Sequence, residues 1–303
     1  MILAIGSRSD HVFPRVLEEL RRSRAHTAVI DEDQPAYEIR SDGERAVILG
    51  PGCSGDRKVR AVFVRHRTAR SIVPSELVPL ETLQRRLNVV LLRTPAPVLN
   101  RPSMATSNYS KPYQLQHLAT LGFDTPETLV TNDPDEARAF VQQLGQPVIV
   151  KGVSNTMTYA RILDERGMAR LDHLRTGPVQ LQEYIPGLDY RVHVVGCEVF
   201  VTALQSEDED YRKQALSDQR HIRVRPASLP PAVLERCVNA TRSAGLIVSG
   251  IDFKEGNDGR LVVLELNPYP QFTFYEQRSG QPITRAVVSC LVRSRSDDAG
   301  IVA

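Results

Sequence analysis

Two apolar runs near the C-terminus constrain the chain most. Residues 247–254 and 260–266 flank Glu255-Gly256-Asn257-Asp258-Gly259, a glycine- and aspartate-rich turn, and so predict a β-hairpin. Each run places acidic or amide groups inside an otherwise apolar strand: Asp252 in Ile251-Asp252-Phe253, and Glu265 and Asn267 in Glu265-Leu266-Asn267-Pro268. Residues two apart on a strand share a face, so Glu265 and Asn267 point the same way. A hairpin register can bring Asp252 beside them. Two carboxylates and an amide oxygen are a hard, all-oxygen set that suits Mg²⁺, with Mn²⁺ a substitute. Taken alone, these residues read equally well as turn or edge positions.

Further elements precede the hairpin. Residues 1–5 and 27–30 read as strands around a helix at 12–22. Residues 37–40 and 46–49 flank an Asp-Gly turn, and 59–64 is a strand ending in Arg65-His66-Arg67. Pro95, Pro97 and Pro102 mark a connection. A helix follows at 110–121, and another runs to Leu144, opened by Asp133 as cap, Pro134 in the first turn and Glu136 at the capping-box position. Strands are expected at 147–151 and 179–185, a hairpin at 190–195 and 199–204, and helices at 231–244 and 282–292. The polar last ten residues are expected to fray. The fold class is α/β (α+β), divided as 1–100, 101–185, 186–293 and a flexible tail at 294–303.

Composition excludes more than it selects. With 303 residues, 41% hydrophobic and 24% charged, the chain is expected to fold as a soluble protein. A net charge of +2 gives no case for nucleic acid or an anionic membrane. Cys53, Cys197, Cys237 and Cys290 stand far apart with no CxxC pair, which predicts reduced thiols in a cytoplasmic protein. The apolar N-terminus is too short for a signal peptide or membrane span.

Two lysines stand out. Lys111 opens the 110–121 helix, and Lys151 closes the apolar run Val148-Ile149-Val150. A buried ammonium is costly unless paired, and phosphate is a natural partner; a snorkelling surface lysine is the alternative. Gln182-Glu183-Tyr184-Ile185-Pro186-Gly187 ends a strand in a turn, whose backbone N–H and C=O groups could read an adenine edge. Asp189 could bind ribose hydroxyls, and Arg191 shares its face. Arg212 and Lys213 follow an acidic run; they either pair with it or reach a transferred phosphate.

The order of these pieces is what resembles a known family. Lysine, strand lysine, Gln-Glu-Tyr-Ile, Asp-x-Arg, and then Asp and Glu-x-Asn look like the ATP-grasp superfamily over residues 100–290. Val62–Arg67, the stretch Gly122–Phe140 with Thr125–Pro134 inside it, Asp210-Tyr211-Arg212 and Glu265-Leu266-Asn267-Pro268 with Gln271 and Glu276 are most similar to the microviridin-type (graspetide) peptide cyclases. Glutathione-synthetase-like and ribosomal-protein-glutamate-ligase-like enzymes come next. The resemblance implies an N-terminal α/β domain before two α+β subdomains that clamp ATP. Lys111 and Lys151 would hold phosphates, Gln182, Glu183, Tyr184 and Ile185 would frame the adenine, and Asp189 would contact the nucleoside. Arg191 and Arg212 would serve the transfer site, with Asp252, Glu265 and Asn267 holding Mg²⁺.

The implied activity is an ATP-dependent, ADP-forming carboxylate ligase that makes an amide or an ester through an acyl phosphate. Its substrate would be a small molecule or peptide, with an amine or hydroxyl co-substrate, and the enzyme could be a homodimer. A kinase of the same fold and a nucleotide-binding module without turnover are the alternatives. Arg65, Arg67, Arg212, Lys213, Arg220 and Arg223 read as either an anionic-substrate surface or solvated charge. His193 and His221 are candidate bases or structural histidines. The segment after Lys151, Val153-Ser154-Asn155-Thr156-Met157-Thr158-Tyr159, departs from the glycine-rich loop of the family, and Tyr211 stands where the family has tryptophan.

Overall fold

A computed structural model describes residues 1–34, 36–41, 46–66, 74–104, 110–153, 160–205, 222–294 and 301–302. Arg67, Arg212, Lys213, Arg220, His221 and most of the segment after Lys151 lie outside them.

The N-terminal part is built on a parallel sheet in the order Thr27–Asp31, Ile2–Gly6, Ala61–Arg65, Val98–Leu99. Ile2–Gly6 and Ala61–Arg65 are buried along their whole length, as strands covered on both faces must be. Helix Phe13–Arg22 covers one face with Phe13, Val16 and Leu20. Its start is set by Asp10, whose Oδ1 accepts the Val12 and Phe13 N–H groups at 2.8 and 2.9 Å. Helix Pro74–Arg93 covers the other face with Leu80, Leu83, Leu87, Val90 and Leu91. That helix was not expected from the sequence. Its apolar spacing is present, but Pro79 falls inside it and reads locally as a breaker.

The hairpin Glu38–Ser41 and Ala46–Gly50 pairs as expected. Against the expected fraying of the tail, Ile301–Val302 adds to it in parallel beside Ala46 and Val47.

A second sheet, antiparallel, runs Arg161–Ile162, Val148–Gly152, Val179–Glu183, Thr128–Thr131. Val148 and Leu181 pack with Ala137 of helix Pro134–Leu144 on one face. By alternation Lys151, Gln180 and Gln182 stand on the other. Asp133 caps the helix by accepting the Asp135 N–H at 2.8 Å. The capping box is not formed. Glu136 accepts the Thr131 hydroxyl at 2.6 Å, and the Asp133 N–H goes to Thr131 Oγ1 at 2.9 Å.

The third sheet positions the chemistry. It is antiparallel, in the order Arg223–Pro226, Glu198–Gln205, Gly187–Val195, Val248–Gly256, Leu261–Asn267. Val192, Val194, Val201, Ile251, Phe253, Val263 and Leu266 pack with Cys237 and Ala240 of helix Pro231–Ser243. The opposite face presents Asp189, Arg191, Asp252, Lys254, Glu265 and Asn267. A bulge makes this possible. Asp252 pairs with Glu265 but Phe253 pairs with Val263, so Leu264 is the extra residue. It reverses the alternation, allowing both Val263 and Leu266 to enter the core while Glu265 faces the site.

One apolar cluster unites the ends of the chain. Ile2, Phe13 and Leu20 share it with Val195, Val248, Phe272 and the Ile283, Val287 and Leu291 side of helix Ile283–Arg293.

Candidate active site

A cleft opens between the second and third sheets. Nine of the expected site residues line it: Lys111, Lys151, Gln182, Glu183, Tyr184, Ile185, Asp189, Asp252 and Glu265. Arg191 and Asn267 lie behind this wall and reach it through Asp252. Arg212 lies outside the described residues.

Register assembles the acidic end. Arg191, Asp252 and Glu265 occupy one row across three strands, and His193, Gly250 and Asn267 occupy the next. Arg191 Nη1 donates to Asp252 Oδ1 at 2.6 Å, and Asn267 Nδ2 donates to Asp252 Oδ2 at 3.2 Å. Arg191 is nearly buried, at 5% exposure. Its guanidinium lies 5.5 Å from the Tyr275 ring centroid, and its Nε donates to His193 Nε2 at 3.4 Å. Gly250 leaves the space for it, since a Cβ there would stand 2.5 Å from Arg191 Nη2.

The donor chemistry fits a hard divalent cation. Asp252 and Glu265 are directly opposed, and turning the Asn267 amide over would present its oxygen to the same place. Among the described residues no group of three or more His, Cys, Asp or Glu side chains forms a self-sufficient metal site. This set therefore needs oxygens from another source, as a nucleotide-bound ion has in its phosphates. His193 is no base. It is fully buried, and burial, then the nearby Arg191 charge, hold its pKa well below the ordinary 6.5. It is a neutral acceptor that orients Arg191.

The other end is shaped by amides and ion pairs. Lys151 Nζ donates to Gln182 Oε1 at 2.7 Å, and Gln182 Nε2 donates to Thr128 Oγ1 at 2.9 Å. The Glu183 carboxylate is held by Gln146 Nε2 at 3.0 Å, the Glu127 N–H at 3.2 Å and Arg260. Backbone groups at this strand end were expected to be unpaired, and two are not. The Glu183 N–H donates to Glu127 O at 2.9 Å and the Tyr184 N–H to Pro147 O at 3.0 Å. The turn that follows requires glycine. Gly187 has φ of 152°, and a Cβ there would collide with the Glu255 carbonyl.

Asp189 is paired with Lys254 at 3.0 Å, with side chains 13% and 9% exposed. Lys254 also lines the cleft, and sequence reasoning missed it. The signal was a lysine within an apolar strand, the same signal that marked Lys151.

Arg65 does not form an open anion surface. Its Nε donates to Asp10 Oδ1 at 2.7 Å and its Nη1 to Pro270 O at 3.2 Å. His66 bridges Glu32 at 2.5 Å and Asn88 at 2.8 Å.

Residues 108–291 match the RimK-like ATP-grasp domain. The chain is 31% identical over 206 residues to a probable alpha-L-glutamate ligase of Enterobacter sp. (strain 638), covering 64% of this chain and 67% of that one. It is 30% identical over 188 residues to the ribosomal protein bS6–L-glutamate ligase of Shigella flexneri, covering 59% and 62%. Among solved structures, the ATP-grasp ligase PsnB complexed with minimal precursor, Mg and ADP superposes with a TM-score of 0.80 at 26% identity, over 97% of this chain and 96% of that one. The macrocyclase MdnC of Microcystis aeruginosa, bound with precursor peptide MdnA, shares the fold at a TM-score of 0.79 and 22% identity, over 97% and 100%. With most of its length matched by the domain and its cleft residues in place, the chain belongs to the RimK-like ATP-grasp family of ATP-dependent carboxylate–amine ligases.

Proposed function

We propose that the protein joins a carboxylate of a peptide substrate to an amine, or to a hydroxyl, by way of an acyl phosphate. The observation that carries this reading is the row Arg191–Asp252–Glu265, whose two carboxylates line a cleft that Lys111 and Lys151 also line. The likeness to ligases solved with precursor peptides extends over 97% of the chain. The glutamate ligases match 64% or less of it. PsnB, 26% identical over 97% of this chain and solved with a precursor, supports a peptide as substrate.

In this reading the adenine lies against Tyr184 and Ile185 and the ribose by Asp189, with the phosphates running towards Lys111 and Lys151. Asp252, Glu265 and Asn267 would hold Mg²⁺, which would supply charge neutralisation at the phosphate oxygens. A carboxylate oxygen of the substrate attacks the γ-phosphorus as the bond to the β-phosphate oxygen breaks, and ADP leaves. The nucleophile then attacks the acyl carbon, phosphate departs with the former carboxylate oxygen, and the proton lost by the nucleophile leaves on the phosphate. The chain supplies position and fixed charge, with Arg191 acting through Asp252, the carboxylate it holds.

The test is ADP release with precursor-type peptides, free amino acids and dipeptides. Asp252→Asn and Glu265→Gln are expected to abolish release; Glu265→Gln should do so with little change in melting temperature, whereas Asp252→Asn also removes the charge partner of buried Arg191 and should lower it. Full turnover in both variants refutes the metal assignment. A phosphorylated alcohol as product points to a kinase, and ATP binding without ADP release under every pairing points to a module without turnover.

A further inference from the structure

The Leu261–Asn267 strand forms the outer edge of the third sheet, so alternate N–H and C=O groups on it face away from the sheet. At Leu266, between Glu265 and Asn267, both outward groups are taken by one side chain. Gln114 Nε2 donates to Leu266 O at 2.8 Å, and the Leu266 N–H donates to Gln114 Oε1 at 2.9 Å. Gln114 is 3% exposed and lies on helix Lys111–Thr120, three residues after Lys111. Two residues further along, a second amide ties the Pro268 carbonyl to the start of the neighbouring strand. Asn100, also 3% exposed, donates from Nδ2 to Pro268 O and Val248 O at 2.5 Å each, and its Oδ1 accepts the Ile247 and Val248 N–H groups at 2.9 and 3.0 Å.

We infer that Gln114 and Asn100 are positioning residues that clamp the Glu265–Pro268 segment and set the distance from Lys111 to the metal-binding face. The inference rests on the proposed role of Glu265 and Asn267. Neither amide reaches the cleft wall. Each holds the backbone on either side of a side chain that does the binding. Beyond its Val248–Gly256 neighbour, this edge is otherwise held, among the described residues, only near its start, where the Val263 N–H donates to Asp124 O at 2.9 Å, so its metal-binding end can still twist or slide. An amide that mimics a further strand at one residue stops this, because it meets a donor and an acceptor at once. Through Gln114 the same helix turn fixes Lys111, so the phosphate-binding lysine and the metal-binding strand move as one body.

The experiment measures Mn²⁺ binding by electron paramagnetic resonance in the presence of ADP, together with melting temperature, in the full-length protein. Gln114→Met removes both hydrogen bonds at similar volume, and Gln114→Glu keeps the acceptor. Asn100→Asp does the same at the second site. Thr241→Val is the control; it removes buried hydrogen bonds to Cys237 O and Ser249 elsewhere in this core. The Mn²⁺ dissociation constant is expected to rise about tenfold or more in Gln114→Met and by less in Gln114→Glu and Asn100→Asp. It is expected to stay unchanged in Thr241→Val, even with a lowered melting temperature. Should Gln114→Met not fold, the two conservative variants carry the test. Wild-type affinity in the folded Gln114 and Asn100 variants, or an equal loss in Thr241→Val, overturns the clamp. If wild-type protein with ADP binds no Mn²⁺, it is the metal assignment of Glu265 and Asn267 that fails.

Discussion

Adding one methyl group at Gly250 is expected to disarm the site without touching any charged residue. A Cβ there would stand 2.5 Å from Nη2, 2.7 Å from Cζ and 2.8 Å from Nε of Arg191. Ordinary carbon contacts lie near 3.5–4.0 Å, so the guanidinium must move by about 1 Å. Its 2.6 Å bond to Asp252 then lengthens to roughly 3.6 Å and ceases to be a hydrogen bond. A hydrogen bond to a charged partner contributes about 1.5–3 kcal/mol, and each 1.36 kcal/mol is tenfold in rate, so Gly250→Ala should slow turnover roughly 10- to 150-fold. Gly250 does not have positive φ, so alanine brings no backbone strain of its own. The assay is ADP release at saturating ATP, in wild type, Gly250→Ala, Arg191→Ala and the double variant. In the Arg191→Ala background the extra methyl should cost almost nothing. An equal effect of Gly250→Ala in both backgrounds, or turnover within twofold of wild type, refutes the claim that Gly250 acts through Arg191.

Other outcomes follow from the same geometry. Lys254→Met removes the lysine partner of a nearly buried Asp189; breaking such a pair costs about 3–5 kcal/mol, and both a lower melting temperature and a raised KM for ATP are expected. Neither change would mean that Lys254 is dispensable. Burial pushes the Asp10 carboxyl up, but Arg65 and the Phe13 and Val12 N–H groups outweigh it and hold its pKa below 3.8. The stability it contributes is therefore present above about pH 4 and lost as the pH falls through the folded value. Asp10→Asn should flatten the acid limb of a melting-temperature profile below about pH 4, and an unaltered limb counts against a stabilising Asp10–Arg65 pair. Burial pushes the Cys237 thiol up to about 12, whereas Cys197 is exposed. Alkylation of native protein at about pH 8, read by peptide mass spectrometry, should label Cys197 and spare Cys237.

How much of the site was legible depended on local pattern. Asp252, Glu265 and Asn267 stood out as polar residues in apolar strands. The Asp–Gly turn supplied their hairpin, and two-residue alternation put two of them on one face. The bulge at Leu264 has no comparable signature, because Val262, Val263 and Leu264 look interchangeable in sequence. Lys254 was hidden by its position near the strand end, where a lysine ordinarily reaches solvent. Gln114 sat in a helix whose neighbours Gln116 and His117 are equally polar, and only the tertiary fold selects the one that meets the Leu266 backbone. Arg65 and His66 were visible as charge. Their partners, Asp10 and Glu32, lie 55 and 34 residues away and are set by the order of parallel strands. The helix Pro74–Arg93 was lost to a local rule about proline that its buried leucines override.

The core that joins Ile2 to Leu291 has a consequence for synthesis of the chain. The first strand and first helix leave the ribosome early, yet part of their apolar cover is the last helix, Ile283–Arg293. Until it emerges, Val16 and Leu20 lack that cover and the N-terminal sheet has an open flank. Folding of this core is therefore expected to wait until helix Ile283–Arg293 has been made, with contacts of high sequence separation setting its rate. Truncation within the last helix should yield aggregating protein, even though every residue assigned to the cleft is still present.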